Sequence, residues 1–88
     1  MDITWLINNQ KKFEQMSSDE KRKFLGNLMY YRVASQQNVS KELVPKITGM
    51  LIDLEVLELS DIIEILKNDD ALKERIADAI NIINDNDQ

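Results

Sequence analysis

Residues 45–54, PKITGMLIDL, decide how this chain folds. Ile47, Met50, Leu51 and Leu54 recur at helical spacing and cover one half of a helix, while Ile52 lies on the other half. A helix that is apolar on most sides belongs at the centre of a bundle, where other helices surround it. Pro45 sets its start near Val44, because proline is tolerated in a first turn, where its missing N–H would have no partner anyway. Gly49 is the residue that does not fit, since it sits mid-helix, and the only other glycine, Gly26, does the same in KFLGNLMYY (23–31).

Helices are expected on both sides of this segment. Ile3, Leu6, Ile7, Phe13 and Met16 suggest a first helix over 3–16, although residues 8–12 are all polar. Ser17 followed by Glu20 is a capping-box pattern, and Phe24, Leu25, Leu28, Met29 and Val33 then form one stripe, which predicts a second helix over about 18–35. The polar SQQNVS (35–40) reads as a loop, and EVLEL (55–59) as helix continuation or an apolar turn. Ser60 is the expected N-cap of a short fourth helix, with Asp61 favourably placed at its positive end. Asn68 or Asp69 should cap a fifth, in which Leu72, Ile76, Ala79, Ile80 and Ile83 share a face. The tail, 84–88, should fray.

Composition narrows the function. The 88 residues, 43% of them hydrophobic, suffice for one domain with one core, and with two Gly and one Pro an all-α fold is expected over a β fold. Without Cys or His there is no disulfide, no ordinary zinc site and no His-based triad; no cofactor or metal is expected, and the setting read from this is intracellular and reducing. A net charge of −5 argues against direct nucleic-acid binding. Lys11, Lys12, Lys21, Arg22 and Lys23 are interspersed with Glu14, Asp19 and Glu20 and read as solvated helix surface. No apolar run approaches the roughly 20 residues of a membrane span, and the start lacks a signal-peptide pattern. Asp53, Glu55, Glu58 and Asp61 read as helix surface and caps with no nucleophile–base pairing, so no enzyme activity is expected.

The two glycines need an explanation. A mid-helix glycine costs roughly 0.5–1 kcal/mol relative to alanine. Gly26 and Tyr30, four apart, share a flank of the second helix; Lys46, Gly49, Met50 and Asp53 share a flank of the third. Loss of Cβ at such positions either lets two helices approach closely or leaves a notch between them. The notch would take a flat ring, walled by Tyr30 and the Lys46 stem over an apolar floor. Spacing alone does not choose between the two.

The same residues resemble a known family. KITGMLID (46–53) resembles the KITGMLLE signature of the MLLE domain, the C-terminal domain of cytoplasmic poly(A)-binding protein: Lys46 to Leu51 are identical, and Ile52 and Asp53 stand for Leu and Glu. FLGNLMYYRV (24–33) resembles the family's Leu-Gly-Glu-Arg-Leu-Phe-Pro pattern, with Leu25, Gly26 and Tyr30 in register. DIIEILKNDDALKERIADAINII (61–83) resembles its two closing helices, with Asp78-Ala79 where the family has Glu-Ala. The likeness covers residues 16–86. Pro45 stands where the family has Gly and Asn27 where it has Glu, and the loops before Lys46 and at LEVLELS (54–60) are a few residues longer. Trp5 and the first helix, residues 1–15, have no strong counterpart and are expected to cover an extra core face.

The resemblance implies a single domain, a right-handed bundle of five helices around a central third one, that binds peptides carrying the PABP-interacting motif. By position, a peptide phenylalanine would meet Lys23, Gly26, Asn27, Tyr30, Lys46, Thr48 and Gly49 between the second and third helices. A peptide leucine would meet Met50, Leu51, Asp53, Ala79, Ile82 and Asn86 between the third and fifth. The implied partners are translation regulators, a release factor and deadenylase-associated factors, bound by a cytoplasmic monomer. Alternative hosts are a HECT-type ubiquitin ligase or another RNA-binding protein, and the alternative class is a self-associating helical bundle.

Overall fold

A computed structural model, which describes residues 2–86, contains six α-helices and, among those residues, no strand. The first, α1 (Ile3–Asn8), starts where the Asp2 carboxylate accepts the Trp5 N–H at 3.1 Å, and α2 (Gln10–Glu14) follows after one residue. The single helix expected over 3–16 is therefore broken at Asn9. Its backbone leaves helical geometry (φ −132°, ψ 39°) and its side-chain amide donates to the Trp5 carbonyl at 2.9 Å. Asparagine competes with the helical ladder through local contacts of this kind.

Ser17 caps α3 (Ser18–Ala34) as its spacing predicts. The Glu20 N–H donates to Ser17 Oγ at 3.2 Å, and the Ser17 N–H donates to Glu20 Oε1 at 3.1 Å. Leu25, Met29 and Val33 are its buried residues. A short 3₁₀ turn, Lys41–Leu43, leads into α4 (Val44–Leu51), with Pro45 in its first turn. Val44, Ile47, Thr48 and Leu51 are buried, a stripe at i, i+3, i+4 and i+7, while Pro45, Lys46 and Gly49 are exposed. Thus α4 is not enclosed on most sides: it has one core face and one open face. Ile52, just past its end, turns back into the core.

The expected N-cap Ser60 lies inside α5 (Leu59–Lys67); Glu58 occupies the cap, and its N–H donates to Asp61 Oδ2 at 3.3 Å. Asn68 Oδ1 accepts the N–H groups of Asp70 and Ala71, at 3.0 and 3.3 Å, at the start of α6 (Asp69–Asn86). Of the tail expected to fray, residues 84–86 belong to α6, and Asp87 and Gln88 lie outside the described residues.

Central α4 packs against α3 and α6; α5 packs on both α6 and α3, and α1 lies on α5. Side chains with essentially no exposure come from α1 (Leu6), α2 (Phe13), α3 (Leu25, Met29), α4 (Ile47), α5 (Ile62, Ile65) and α6 (Leu72). Trp5 and Phe13 meet the same ring, Phe24, with centroids 5.4 and 5.9 Å away. At the other end of α3, Arg32 and Gln36 reach Asp69 at 3.6 and 3.3 Å, and Lys73 reaches it at 3.4 Å. These exposed contacts are each worth at most about 1 kcal/mol, so burial holds the bundle and they only tie α3 to the start of α6. No helix among the described residues is long and apolar enough to cross a membrane.

Candidate functional site

The open face of α4 meets the first turns of α3. A cleft of about 580 Å³ lies between them, with Ser18, Lys21 and Arg22 on the α3 side and Gly49, Ile52, Asp53, Leu54 and Glu55 on the other. The α3–α4 contact opens here because the core stripe of α3 changes character. Lys21 and Arg22 stand four and three residues before Leu25, where a bundle would ordinarily place apolar side chains.

The two glycines behave differently. A Cβ built on Gly26 would lie 3.6 Å from Ile52 Cδ1, an ordinary van der Waals contact. A Cβ built on Gly49 would have no atom within 4 Å. Gly26 therefore belongs to the close approach of α3 onto the residue after α4, whereas Gly49 faces open space.

Of the seven residues assigned to a phenylalanine site, Gly49 lines this cleft, and Gly26 borders it through Ile52. Lys23 and Lys46 are exposed, and Tyr30 is 48% exposed on the outer surface of α3. Asn27 lines a different hollow, about 300 Å³, with Ile3, Leu28 and Leu66 on the far side of α3. Thr48 points the other way: it is 5% exposed, on the core stripe of α4, and its buried Oγ1 has no hydrogen-bond partner among the described residues. A buried hydroxyl left unpaired costs roughly 1–3 kcal/mol.

The residues assigned to a leucine site divide as well. Leu51 and Ala79 are buried where α4 and α6 pack, with Met50 half-buried beside them. Ala79, Ile82 and Asn86 share a face of α6 at i, i+3 and i+7, and Ile82 is 51% exposed there. Asp53 is drawn to the α3 side, where it lines the cleft. Its Oδ1 accepts the Glu55 N–H at 3.0 Å, and its carbonyl accepts those of Val56 and Leu57 at 3.1 and 2.8 Å.

Sequence reasoning missed Ser18, Lys21, Arg22, Ile52, Leu54 and Glu55 as cleft residues. For the two basic residues the available signal was their register with Leu25. Lys21 is also not simply solvated: its Nζ stands 5.9 Å from the centre of the Phe13 ring, which holds the ammonium beside the cleft. Below them, Glu20 has its carboxyl held below the ordinary glutamate range, chiefly by the Ser17 backbone N–H, then by the Ser17 side chain, and in part by the Lys23 charge. Among the described residues no cluster of acidic side chains could hold a metal ion.

Comparison with known families places this geometry in context. The family model described as the MLLE domain matches residues 12–83, which takes in α3, α4, α5 and most of α6 and leaves α1 before the match. No solved structure matches the chain.

Proposed function

Because this chain belongs to the MLLE domain family, a group of peptide-binding protein-interaction modules, we propose that it captures a short extended peptide by an aromatic residue entering the α3–α4 cleft beside Gly49. The observation that carries this reading is the empty space over Gly49, which gives a helix-weakening residue a purpose. Ile52 and Leu54 supply the apolar contact, and a second anchor, a leucine, lies against Met50, Leu51, Ala79 and Ile82 on the α4–α6 side. The peptides expected are those carrying the PABP-interacting motif, in translation and mRNA-turnover factors. The host is a cytoplasmic RNA-binding protein, with this domain as a monomeric adaptor that does no chemistry. Two buried anchors gain on the order of 2–3 kcal/mol each. After the cost of ordering a flexible peptide, micromolar affinity follows.

Titration of the 88-residue chain with a motif-bearing peptide, followed by amide NMR, tests this. The Gly49 and Ile52 resonances should shift most in the cleft, with Gly26, Tyr30 and Lys46 following at its border, and a Phe→Ala peptide should bind at least tenfold more weakly. Unmoved Gly49 and Ile52 amides, or equal binding of the Phe→Ala peptide, would refute it.

A further inference from the structure

The walls of the α3–α4 cleft carry opposite charges. On the α3 side stand Lys21 and Arg22; on the side formed by the end of α4 and the following turn stand Asp53 and Glu55. None of the four is in an ion pair. Among the described residues the ion pairs are Arg32 with Asp69 and Lys73 with Asp69, at the other end of α3. Lys21 is also held from outside the cleft by the Phe13 ring, and Asp53 is braced within its own wall by the Glu55 N–H. Gly49, Ile52 and Leu54 share the second wall with Asp53 and Glu55, so a positive edge faces a wall that is part apolar and part negative.

From this we infer that the cleft selects peptides by charge order: an acidic residue on one side of the aromatic anchor, facing Lys21 and Arg22, and a basic residue on the other, facing Asp53 and Glu55. This inference rests on the peptide-binding reading above and adds the charge chemistry of the guest. The net charge of −5 makes the α3 wall a local reversal of the whole chain's field. A peptide that is acidic throughout would be repelled by the far wall, and one that is basic throughout by the near wall. A guest with one charge of each sign satisfies both, and only in one orientation. Because Lys21 and Asp53 already have such contacts before binding, less side-chain freedom is lost in meeting them.

The test uses four peptides of equal length, each with the leucine anchor that fixes chain direction and one central phenylalanine: acid before and lysine after it, lysine before and acid after it, neutral flanks, and neutral flanks with Phe→Ala. Affinities are measured by fluorescence anisotropy on the full chain at low salt and at 0.5 M salt, with Gly49 and Ile52 amide shifts reporting occupancy of the cleft. The two charge orders should differ by about fivefold at low salt, since solvent-screened charge contacts of this kind are individually weak. The difference should collapse in 0.5 M salt. The double variant Arg22→Glu/Glu55→Lys, which leaves one charge of each sign on each wall, should erase the preference while its melting curve stays as in the parent chain and the neutral peptide still shifts the Gly49 and Ile52 amides. If the neutral peptide binds in the cleft, the Phe→Ala peptide does not, and the two charge orders are equal, charge selection is wrong and the peptide-binding reading stands. If no peptide moves Gly49 or Ile52, both fall. A preference that survives the double variant also overturns the inference, since its source would lie elsewhere.

Discussion

Replacing Gly49 with leucine separates the two explanations of a mid-helix glycine, because it pushes stability and binding in opposite directions. With nothing within 4 Å of the Cβ position, the new side chain meets no clash and extends into the cleft. Leucine is close to alanine in helix propensity, so α4 gains about 0.5–1 kcal/mol. For a domain of this size that raises Tm by roughly 2–8 °C. The same side chain occupies the space proposed for a peptide ring. Losing burial of a phenylalanine, about 2–3 kcal/mol, weakens binding by roughly 30- to 150-fold. Thermal melts followed by circular dichroism give the first quantity and titration with a phenylalanine-bearing peptide gives the second. A lower Tm would mean that Gly49 serves close packing after all. An unchanged Kd would mean that the ring does not sit beside it, and either result refutes the reasoning.

Other substitutions probe the frame around the cleft. Thr48→Val removes a buried hydroxyl that has no partner among the described residues and should raise stability by about 1 kcal/mol in urea unfolding; a loss of that size would show that the hydroxyl is satisfied in solution. Leu6→Ala should cost about 2–5 kcal/mol, as for a core leucine, although Leu6 lies before the family match. A cost below about 0.5 kcal/mol, the range of a surface change, would make α1 an ornament. Carboxyl NMR should place the Glu20 pKa below the ordinary glutamate value. A depressed folded pKa means that the capping contribution is complete at neutral pH and is lost as pH falls through that value; a Glu20 pKa at or above the ordinary value contradicts the capping geometry.

Much of the architecture was legible because it rests on short-range rules. The Ser17/Glu20 pair, the proline at the start of α4 and the apolar period of α6 each depend on neighbours within a turn or two. The break at Asn9 was hidden because residues 8–12 are all polar and carry no period in either direction. Helix α5 starts before Ser60 because Leu59 is drawn partly into the core and the Asp61 carboxylate accepts the Glu58 N–H, a tertiary contact joined to a different local cap. The site was legible at Gly49 and blurred elsewhere. Periodicity placed Thr48 and Gly49 on one helix, but only packing decides that Thr48 faces the core and Gly49 the cleft. The charged cleft wall was missed because a basic run is usually solvated; its register with the Leu25 stripe is visible only when charge and period are read together.

The tilted contact of Trp5 with Phe24 gives the molecule an optical reporter of its own. Trp5 is the only tryptophan, and it sits on α1, the helix that precedes the family match and packs on α5. Its emission therefore registers whether that one short helix is docked, while far-ultraviolet ellipticity is dominated by α3 and α6. A red shift that precedes loss of ellipticity on heating would mark release of α1 as a separate, earlier opening of the bundle, and coincident curves would mark one cooperative unit.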